Sequence, residues 1–397
     1  MRFTDNRVSK RRLKVMPLVS SDWAKALSRE SIAWNHLELS QPPQDWSKLT
    51  SWASKHCKFT QALTLENLQS DSEDVLATLL CCGFYALQSV KLTGSILGSI
   101  SGKSTMLWEH LLCCKLQTLD LQMESIAKAH FSCLGLVTDL RHLSLEVKQS
   151  SPLPGVELPG SLTSLSRLTT LSLRNVVVAQ GTVSSQFSLL VSLEDVSFVR
   201  TRIIDFGFSF ASLKQLSSLL LSEDHIAGQV LHLPGVREMS TLRRLSISSG
   251  LERFPEDILG LTSVTSLDLG WNRFRMLPPG PYLNNLQELQ FQERSSLLDV
   301  GVLHQASKLV LLSFDATHMC YKDIIATVAA LITRLTSLHR IVLLKASYNG
   351  AADREDQIAQ SFLQLVNLLC QDMSCRRSIQ IDLEHRWRPL LWSDVGR

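Results

Sequence analysis

Leucine and other large apolar residues recur at fixed spacings through most of this chain. The clearest copy of the pattern begins at Val264 and continues through Leu267, Leu269 and Asn272. The second apolar position of this frame, the anchor, returns every 22 to 29 residues. The twelve anchors are Leu63, Val90, Leu119, Leu143, Leu171, Val196, Leu219, Leu245, Leu267, Leu289, Leu312 and Ile341. A period of this length predicts an array of repeated structural units.

The spacing inside one copy predicts its local structure. Successive side chains of a strand point to opposite faces, so Leu267 and Leu269 face one side and Asp268 faces the other. Across the twelve frames, the three inward positions are apolar everywhere except at Thr60. One unit cannot bury its own leucines, so neighbouring units must stack into a parallel sheet.

The frame resembles the L-x-x-L-x-L-x-x-N-x-L pattern of the leucine-rich-repeat family. The resemblance implies an α/β solenoid (a horseshoe) with a parallel concave sheet and a convex side that is partly helical and partly irregular. Helical periodicity predicts helices over 71–82, 322–335 and 353–369, whereas 254–259 reads as a tight turn. The asparagine typical of the family stands only at Asn272. Elsewhere the position holds residues such as Ser95, Glu124, Thr201, Asp224 and Gly250, and hydroxyls or water are expected to pair the backbone there instead.

Three regions follow from this reading. Residues 1–55 form an N-terminal F-box-like or capping region, and residues 56–350 hold about twelve repeats. Residues 351–397 are expected to contain a capping helix, a last strand near 379–383 and a short tail.

The N-terminal region contains half of the eight tryptophans of the chain. Val19 and Trp23, followed by Trp34, resemble the C-terminal half of an F-box, here truncated or degenerate. The resemblance implies that this segment would hold a Skp-type adaptor of a cullin ubiquitin ligase while the repeats select a substrate. The alternative is that the tryptophans close the N-terminal end of the solenoid.

Net charge, cysteine content and the N-terminal residues argue against several other kinds of partner and location. The net charge is +3, with 40 basic and 37 acidic residues, which gives no reason to expect nucleic acid or a membrane surface as partner. The nine cysteines form no Cys-x-x-Cys pair, and the basic N-terminus has no apolar stretch of a secretory signal. We therefore expect a protein of the cytoplasm, with the nucleus or the cytoskeleton as alternatives.

Catalytic and metal-binding motifs are missing from the sequence. His318, Cys320, Cys370 and Cys375 are the only conceivable zinc set, and their spacing fits no tetrahedral pattern. We expect no enzyme activity, no cofactor and no metal.

Binding in a solenoid usually involves the outward residues of the concave strands. Most of these are small and hydroxylated, and they leave room for a protruding loop or helix of a partner: Thr170, Ser172, Ser197, Ser218, Ser222, Ser246, Ser248 and Ser266. Charged residues stand among them: Glu66, Asp120, Glu146, Arg174, Asp195, Arg244, Asp268 and Glu288.

Arginine and tryptophan are the side chains most often found as interface anchors. The predicted partner contacts are therefore Arg174, Asp195, Arg200, Glu223, Arg244 and Trp271. The alternative is that these charges only keep the sheet soluble. Two functions remain open: a protein-interaction module, including an F-box-type substrate receptor, and a structural scaffold of the cytoskeletal or axonemal kind.

Overall fold

The computed structural model describes most of the repeat array and little of the two ends of the 397-residue chain. The described residues are 13–14, 36–39, 50–51, 53–55, 57–68, 79–94, 114–123, 134–147, 155–156, 160–178, 187–203, 210–222, 231–274, 276–291, 300–315, 321–344 and 379–384. The chain divides into two compact units, Met1–Phe208 and Ser209–Arg397.

Parallel strands dominate the described part of the first unit. They are β1 Leu13–Lys14, β2 His36–Leu39, β3 Ala62–Leu68, β4 Ser89–Gly94, β5 Thr118–Met123, β6 His142–Val147, β7 Gly155–Val156, β8 Thr170–Arg174, β9 Val177–Val178, β10 Asp195–Val199 and β11 Arg202–Ile203. The main sheet has the order β1-β2-β3-β4-β5-β6-β8-β10. The short strands β7, β9 and β11 form a separate sheet in the order β11-β9-β7.

The second unit repeats the same arrangement. Its described strands are β12 Ser218–Ser222, β13 Arg244–Ser248, β14 Ser266–Leu269, β15 Glu288–Phe291, β16 Leu311–Asp315, β17 Arg340–Leu344 and β18 Gln380–Glu384. They follow one another across the sheet in chain order. The strand predicted near 379–383 is present as β18, which pairs in parallel with β17.

The leucine pattern explains this topology. Within each unit, the anchors of neighbouring strands are register partners, as Leu143 is with Leu171 and Leu245 is with Leu267. All twelve predicted anchors lie in strands and are at most 3% exposed. Within each unit, each anchor therefore packs on the next, and the stacked layers make an apolar core. The fold is a leucine-rich-repeat solenoid.

The repeat frame also extends upstream of the first predicted anchor. In β2, Leu37 pairs with Leu63, and Leu39 pairs with Leu65 of β3. Leu37 is 2% exposed, which places it in the same apolar layer as the other anchors. The segment that follows Trp34 is thus a strand of the main sheet.

The connections between strands match the predicted mixture of helix and turn. The predicted helix over 322–335 is present as the α-helix Tyr321–Arg334, and a second short α-helix spans Val300–Leu303. The 3₁₀ helices are Cys57–Phe59, Gly160–Ser164, Phe187–Leu189, Phe210–Ser212, Val236–Glu238, Glu256–Ile258 and Pro281–Leu283. Of the predicted helix over 71–82, residues 79–80 are helical, and the rest up to 78 lies outside the described residues, as does 353–369.

Polar side chains bond neighbouring repeats together at the turn that follows the strand. Asn272 donates to the carbonyls of Ile247 (2.7 Å) and Leu269 (3.0 Å), and its oxygen accepts from the N–H groups of Ser249 and Leu251. At the equivalent position three repeats upstream, a hydroxyl takes the place of the asparagine. Thr201 donates to the Leu173 carbonyl at 2.9 Å.

A second set of side-chain bonds runs along the segments that lead into the strands. Ser192 donates to the Ser166 carbonyl at 2.7 Å, and Ser263 donates to the Met239 carbonyl at 2.6 Å. Asn285 donates to the Thr262 carbonyl at 2.8 Å. These bonds satisfy carbonyls that the sheet leaves unpaired, and each bond ties one repeat to its neighbour.

Candidate functional site

The strand residues that alternate with the inward leucines define one face of the sheet, called here the outer face. It corresponds to the predicted concave face. The middle row of the first unit consists of the residues between those leucines in β3 to β10: Thr64, Lys91, Asp120, Ser144, Ser172 and Ser197. The middle row of the second unit is its counterpart in β12 to β17: Leu220, Ser246, Asp268, Gln290, Ser313 and Val342.

The first unit brings two of the predicted contact residues together. Arg174 is the last residue of β8 and pairs in register with Val199, and Arg200 follows Val199 directly. Asp195 lies at the opposite end of β10, beside Thr170. Four residues of strand separate Asp195 from that end, which corresponds to about 13 Å. Arg174 and Arg200 are therefore neighbours, and Asp195 is not in their group.

The second unit keeps its two described contact residues apart. Arg244 is the first residue of β13, between Ser218 and Ser266 on the flanking strands. Trp271 follows the other end of β14 and is 55% exposed. Glu223 lies outside the described residues, and so do Val19, Trp23 and Trp34 of the F-box-like segment.

Arg200 and Trp271 share an unusual backbone position. Each stands four residues after its anchor and has a positive φ, 51° for Arg200 and 58° for Trp271. At the same position of other repeats the residues are Asn67, Asn175 and Gly94, types that adopt this conformation readily. An arginine and a tryptophan held there cost about 1 kcal/mol each.

The outer face of the second unit holds a buried polar row. Asp268 accepts a hydrogen bond from Ser246 Oγ at 3.1 Å and another from the Gly270 N–H at 2.9 Å. Burial raises the pKa of Asp268 to about 6, and these two hydrogen bonds offset only part of that effect. Beside Asp268 in register, Gln290 has a buried Nε2 without a hydrogen-bond partner.

The outer face of the first unit differs from this in both exposure and charge. Every residue of its middle row is half-exposed. Lys91 forms an ion pair with Glu66 at 3.4 Å. Among the described interactions, Asp120 and Glu146 make no hydrogen bond or ion pair. The sequence pattern put both acids on this face, but the preference for arginine and tryptophan anchors left them out of the predicted contacts.

Metal binding and membrane insertion find no support in the described ranges. No group of three or more His, Cys, Asp or Glu side chains there is placed to hold a metal ion. The four residues whose spacing fits no tetrahedral zinc pattern, His318, Cys320, Cys370 and Cys375, lie outside the described residues. No helix in the described part of the chain has the length and apolar character needed to cross a membrane.

Comparison with solved structures finds similar chains at low sequence identity. A leucine-rich-repeat protein of Leptospira interrogans is 18% identical over 86% of this chain and 96% of its own, with a TM-score of 0.37. Toll in the Toll–Spatzle complex of Drosophila is 16% identical over 82% of this chain and 41% of its own, with a TM-score of 0.47. No family model and no curated protein matches the sequence.

Proposed function

We propose that the chain is a protein-interaction module that binds a partner protein on the outer face of its repeats. The observation that carries the proposal is the middle row of the first unit, which is half-exposed and mostly made of small polar side chains. A row of this kind offers hydrogen-bonding groups and leaves space for a partner to approach the sheet. Extended sheet faces of stacked repeats are the usual binding surfaces of solenoids.

The residues proposed to make the main contacts have side chains well suited to an interface from which water is excluded. In the first unit, Arg174 and the adjacent Arg200 offer planar cations, with Asp195 as a charged companion further along its strand. In the second unit, Arg244 and the exposed Trp271 are the corresponding candidates. Glu223 completes the proposed contact set.

The test is capture of partners by the full-length protein and its variants. We expect Arg174→Glu combined with Arg244→Glu to reduce recovery of the specific partner about tenfold or more, because reversed charges oppose a complementary surface. Recovery is measured by quantitative mass spectrometry from cytoplasmic and nuclear extracts. Arg237→Glu, at an exposed position of the 3₁₀ helix Val236–Glu238, is the matched control. Unchanged recovery with the double variant, at an unchanged melting temperature, would remove the outer face from the proposal.

A more specific version of the proposal is an F-box-type substrate receptor. It is favoured by Val19, Trp23 and Trp34 in the sequence and by the position of this segment directly before the strand β2. In this version the N-terminal segment holds a Skp-type adaptor, and the repeats select the substrate of a ubiquitin ligase.

Co-purification with a Skp-type adaptor separates the receptor from a structural scaffold. We expect the adaptor to co-purify with the wild-type chain and to be lost from Trp23→Ala, while partner capture through the repeats persists. A cytoskeletal or axonemal scaffold would retain its partners and show no adaptor in either sample. That result would discard the receptor and keep the interaction module.

A further inference from the structure

Serine side chains on the outer faces of the two units differ sharply in exposure. Ser172 and Ser197, in the middle row of the first unit, are half-exposed. Ser246 and Ser313, in the middle row of the second unit, are 4% and 5% exposed. The residue type and the position in the repeat are the same, so side-chain size does not explain the difference. The outer face of the second unit is shielded from water by a layer that the first unit lacks.

The shielded area of the second unit has a definite outline. It includes the whole middle row, where exposure is at most 8%, and also Ser248 and Leu344 at the C-terminal ends of their strands, at 7% and 6%. At the N-terminal ends of the strands, Arg244 and Arg340 are half-exposed. On β18, the side chain of Asp382 is 27% exposed. The covering layer therefore lies over the middle and C-terminal parts of β13 to β17, a width of about 19 Å.

The shielded area is apolar at the end that lies beside β18. Val342 and Leu344 of β17 point to the outer face and are 5% and 6% exposed. Leu344 is the register partner of Glu384, the last residue of β18. Aliphatic side chains on a sheet face are buried most favourably against other apolar groups. The covering layer is therefore expected to bring apolar side chains to this corner of the sheet.

The described connections of the second unit lie on the opposite side of the sheet. Each joins two adjacent parallel strands, which requires a crossover on one side of the sheet. Val236, Ile258, Leu283 and Leu331 belong to these connections and are at most 1% exposed, as expected for residues that pack with the anchor leucines. A segment that covers the outer face must therefore come from a part of the unit that is not a crossover.

The residues that follow β18 meet this requirement, since they lead to no further described strand. The sequence from 385 to 392 is HRWRPLLW and lies outside the described residues. It begins beside Leu344, at the apolar corner of the shielded area. Eight extended residues reach up to about 28 Å, enough to cross from β18 to β13, which are about 24 Å apart. Pro389 lacks an N–H group and disfavours the alternative of a further strand paired with β18.

We propose that residues 385–392 fold back across the outer face of the second unit, with Trp387, Leu390 and Trp392 packed on Val342 and Leu344. The inference goes beyond the proposed function, because it assigns a contact within the chain. The segment leaves the row that contains Arg244 open and occupies the rows beside it. A partner that enters the middle row of the second unit must first displace this segment.

Photo-cross-linking of the full-length protein tests the contact directly. Benzoylphenylalanine in place of Trp392 is activated by light, and the cross-linked residues are identified by peptide mass spectrometry. We expect cross-links to the outer-face residues of β13 to β17. Benzoylphenylalanine in place of Met276, which is 69% exposed, is the control and should give none to those residues. Cross-links from position 392 to other surfaces only, or no cross-link within the chain, would overturn the proposal.

Thiol reactivity gives a second measurement on the full-length chain. Ser248→Cys should react with iodoacetamide about tenfold faster when Trp387, Leu390 and Trp392 are all replaced by alanine, because the thiol loses its cover. Arg386→Ala with Arg388→Ala is the matched control in the same segment and should change the rate less than twofold. Ser222→Cys, a half-exposed position beside the shielded area, should react equally fast in both backgrounds. An unchanged rate at Ser248→Cys, in a variant with an unchanged melting temperature, would overturn the docking.

Discussion

Two buried threonine hydroxyls differ in whether they find a hydrogen-bond partner. Thr60 is the one polar residue among the inward positions of the repeats, and its Oγ1 is buried without a partner. Thr201 Oγ1 donates to the carbonyl of Leu173. We expect Thr60→Val to raise the free energy of unfolding by about 1 kcal/mol, because it removes an unsatisfied group and retains the shape. Thr201→Val should lower it by a similar amount. Urea unfolding of both variants is the measurement, and equal signs would contradict the prediction.

The carboxyl group of Asp268 is predicted to make stability depend on pH. Its side chain is 1% exposed, and its pKa of about 6 lies above the value of about 3.9 expected in the unfolded chain. The folded protein therefore binds the proton more tightly, so stability rises as pH falls through 6 and levels off below about 4. Through this carboxyl group, the free energy of unfolding should be about 3 kcal/mol higher below pH 4 than well above pH 6.

Asp268→Asn isolates this contribution. Because asparagine carries no charge, the variant should be more stable than wild type at pH 7.5 and should lose the gain seen on acidification to pH 5. Urea unfolding at several pH values measures both effects. Glu238→Gln is the control and should follow the wild-type profile. Parallel profiles for wild type and Asp268→Asn would show that this carboxyl does not titrate as described.

At the scale of single elements, the sequence predicts the strands that carry a leucine anchor better than the very short strands. Twelve anchors identify twelve strands because each inward leucine must be buried, and burial is what the alternating pattern encodes. Strand β2 escaped prediction because residues 1–55 were assigned to an F-box-like or capping region. Strands β1, β7, β9 and β11 have two residues each, which is too short for any alternation to appear.

The bulge between β3 and β4 leaves no room for a side chain at Gly94. The register shifts between Leu65 and Leu68, and Leu68 pairs with Gly94, whose φ is +145°. A Cβ at Gly94 would lie 2.1 Å from the Leu68 carbonyl oxygen, whereas at Gly250 (φ +66°) it would meet nothing within 4 Å. We expect Gly94→Ala to destabilise by about 3 kcal/mol or more, and Gly250→Ala by only about 1 kcal/mol. Thermal unfolding compares the two, and equal losses would argue against the bulge.

At the scale of the whole molecule, the contrast between the two outer faces should be visible in thiol reactivity. We expect Ser172→Cys and Ser197→Cys to react with iodoacetamide at rates typical of accessible thiols. Ser246→Cys and Ser313→Cys should react at least about tenfold more slowly, because their thiols become accessible only when the structure opens locally. Peptide mass spectrometry gives each rate, with the exposed Cys81 and the buried Cys57 as internal references. Similar rates at all four positions would remove the contrast.

The candidate site was less predictable than the fold. Alternation shows which way Ser172 and Ser246 point, but it does not show that the first is accessible and the second is buried. The positive φ of Arg200 and Trp271 could not be predicted from the sequence either, because their residue types normally avoid this conformation. The unpaired state of Asp120 depends on Lys91 bonding to Glu66 instead, a choice between two acids that spacing alone does not decide.

The in-register strands of the first unit give the outer face a fixed period. One repeat succeeds the next at about 4.8 Å, while an α-helix advances about 5.4 Å per turn and an extended chain about 6.6 Å per two residues. A helix laid across the strands falls out of step by about 0.6 Å per repeat, and an extended segment does so faster. A partner matched to this face by side chains of its own regular element can therefore keep step over only a few repeats, whereas a single projecting tip has no period to match.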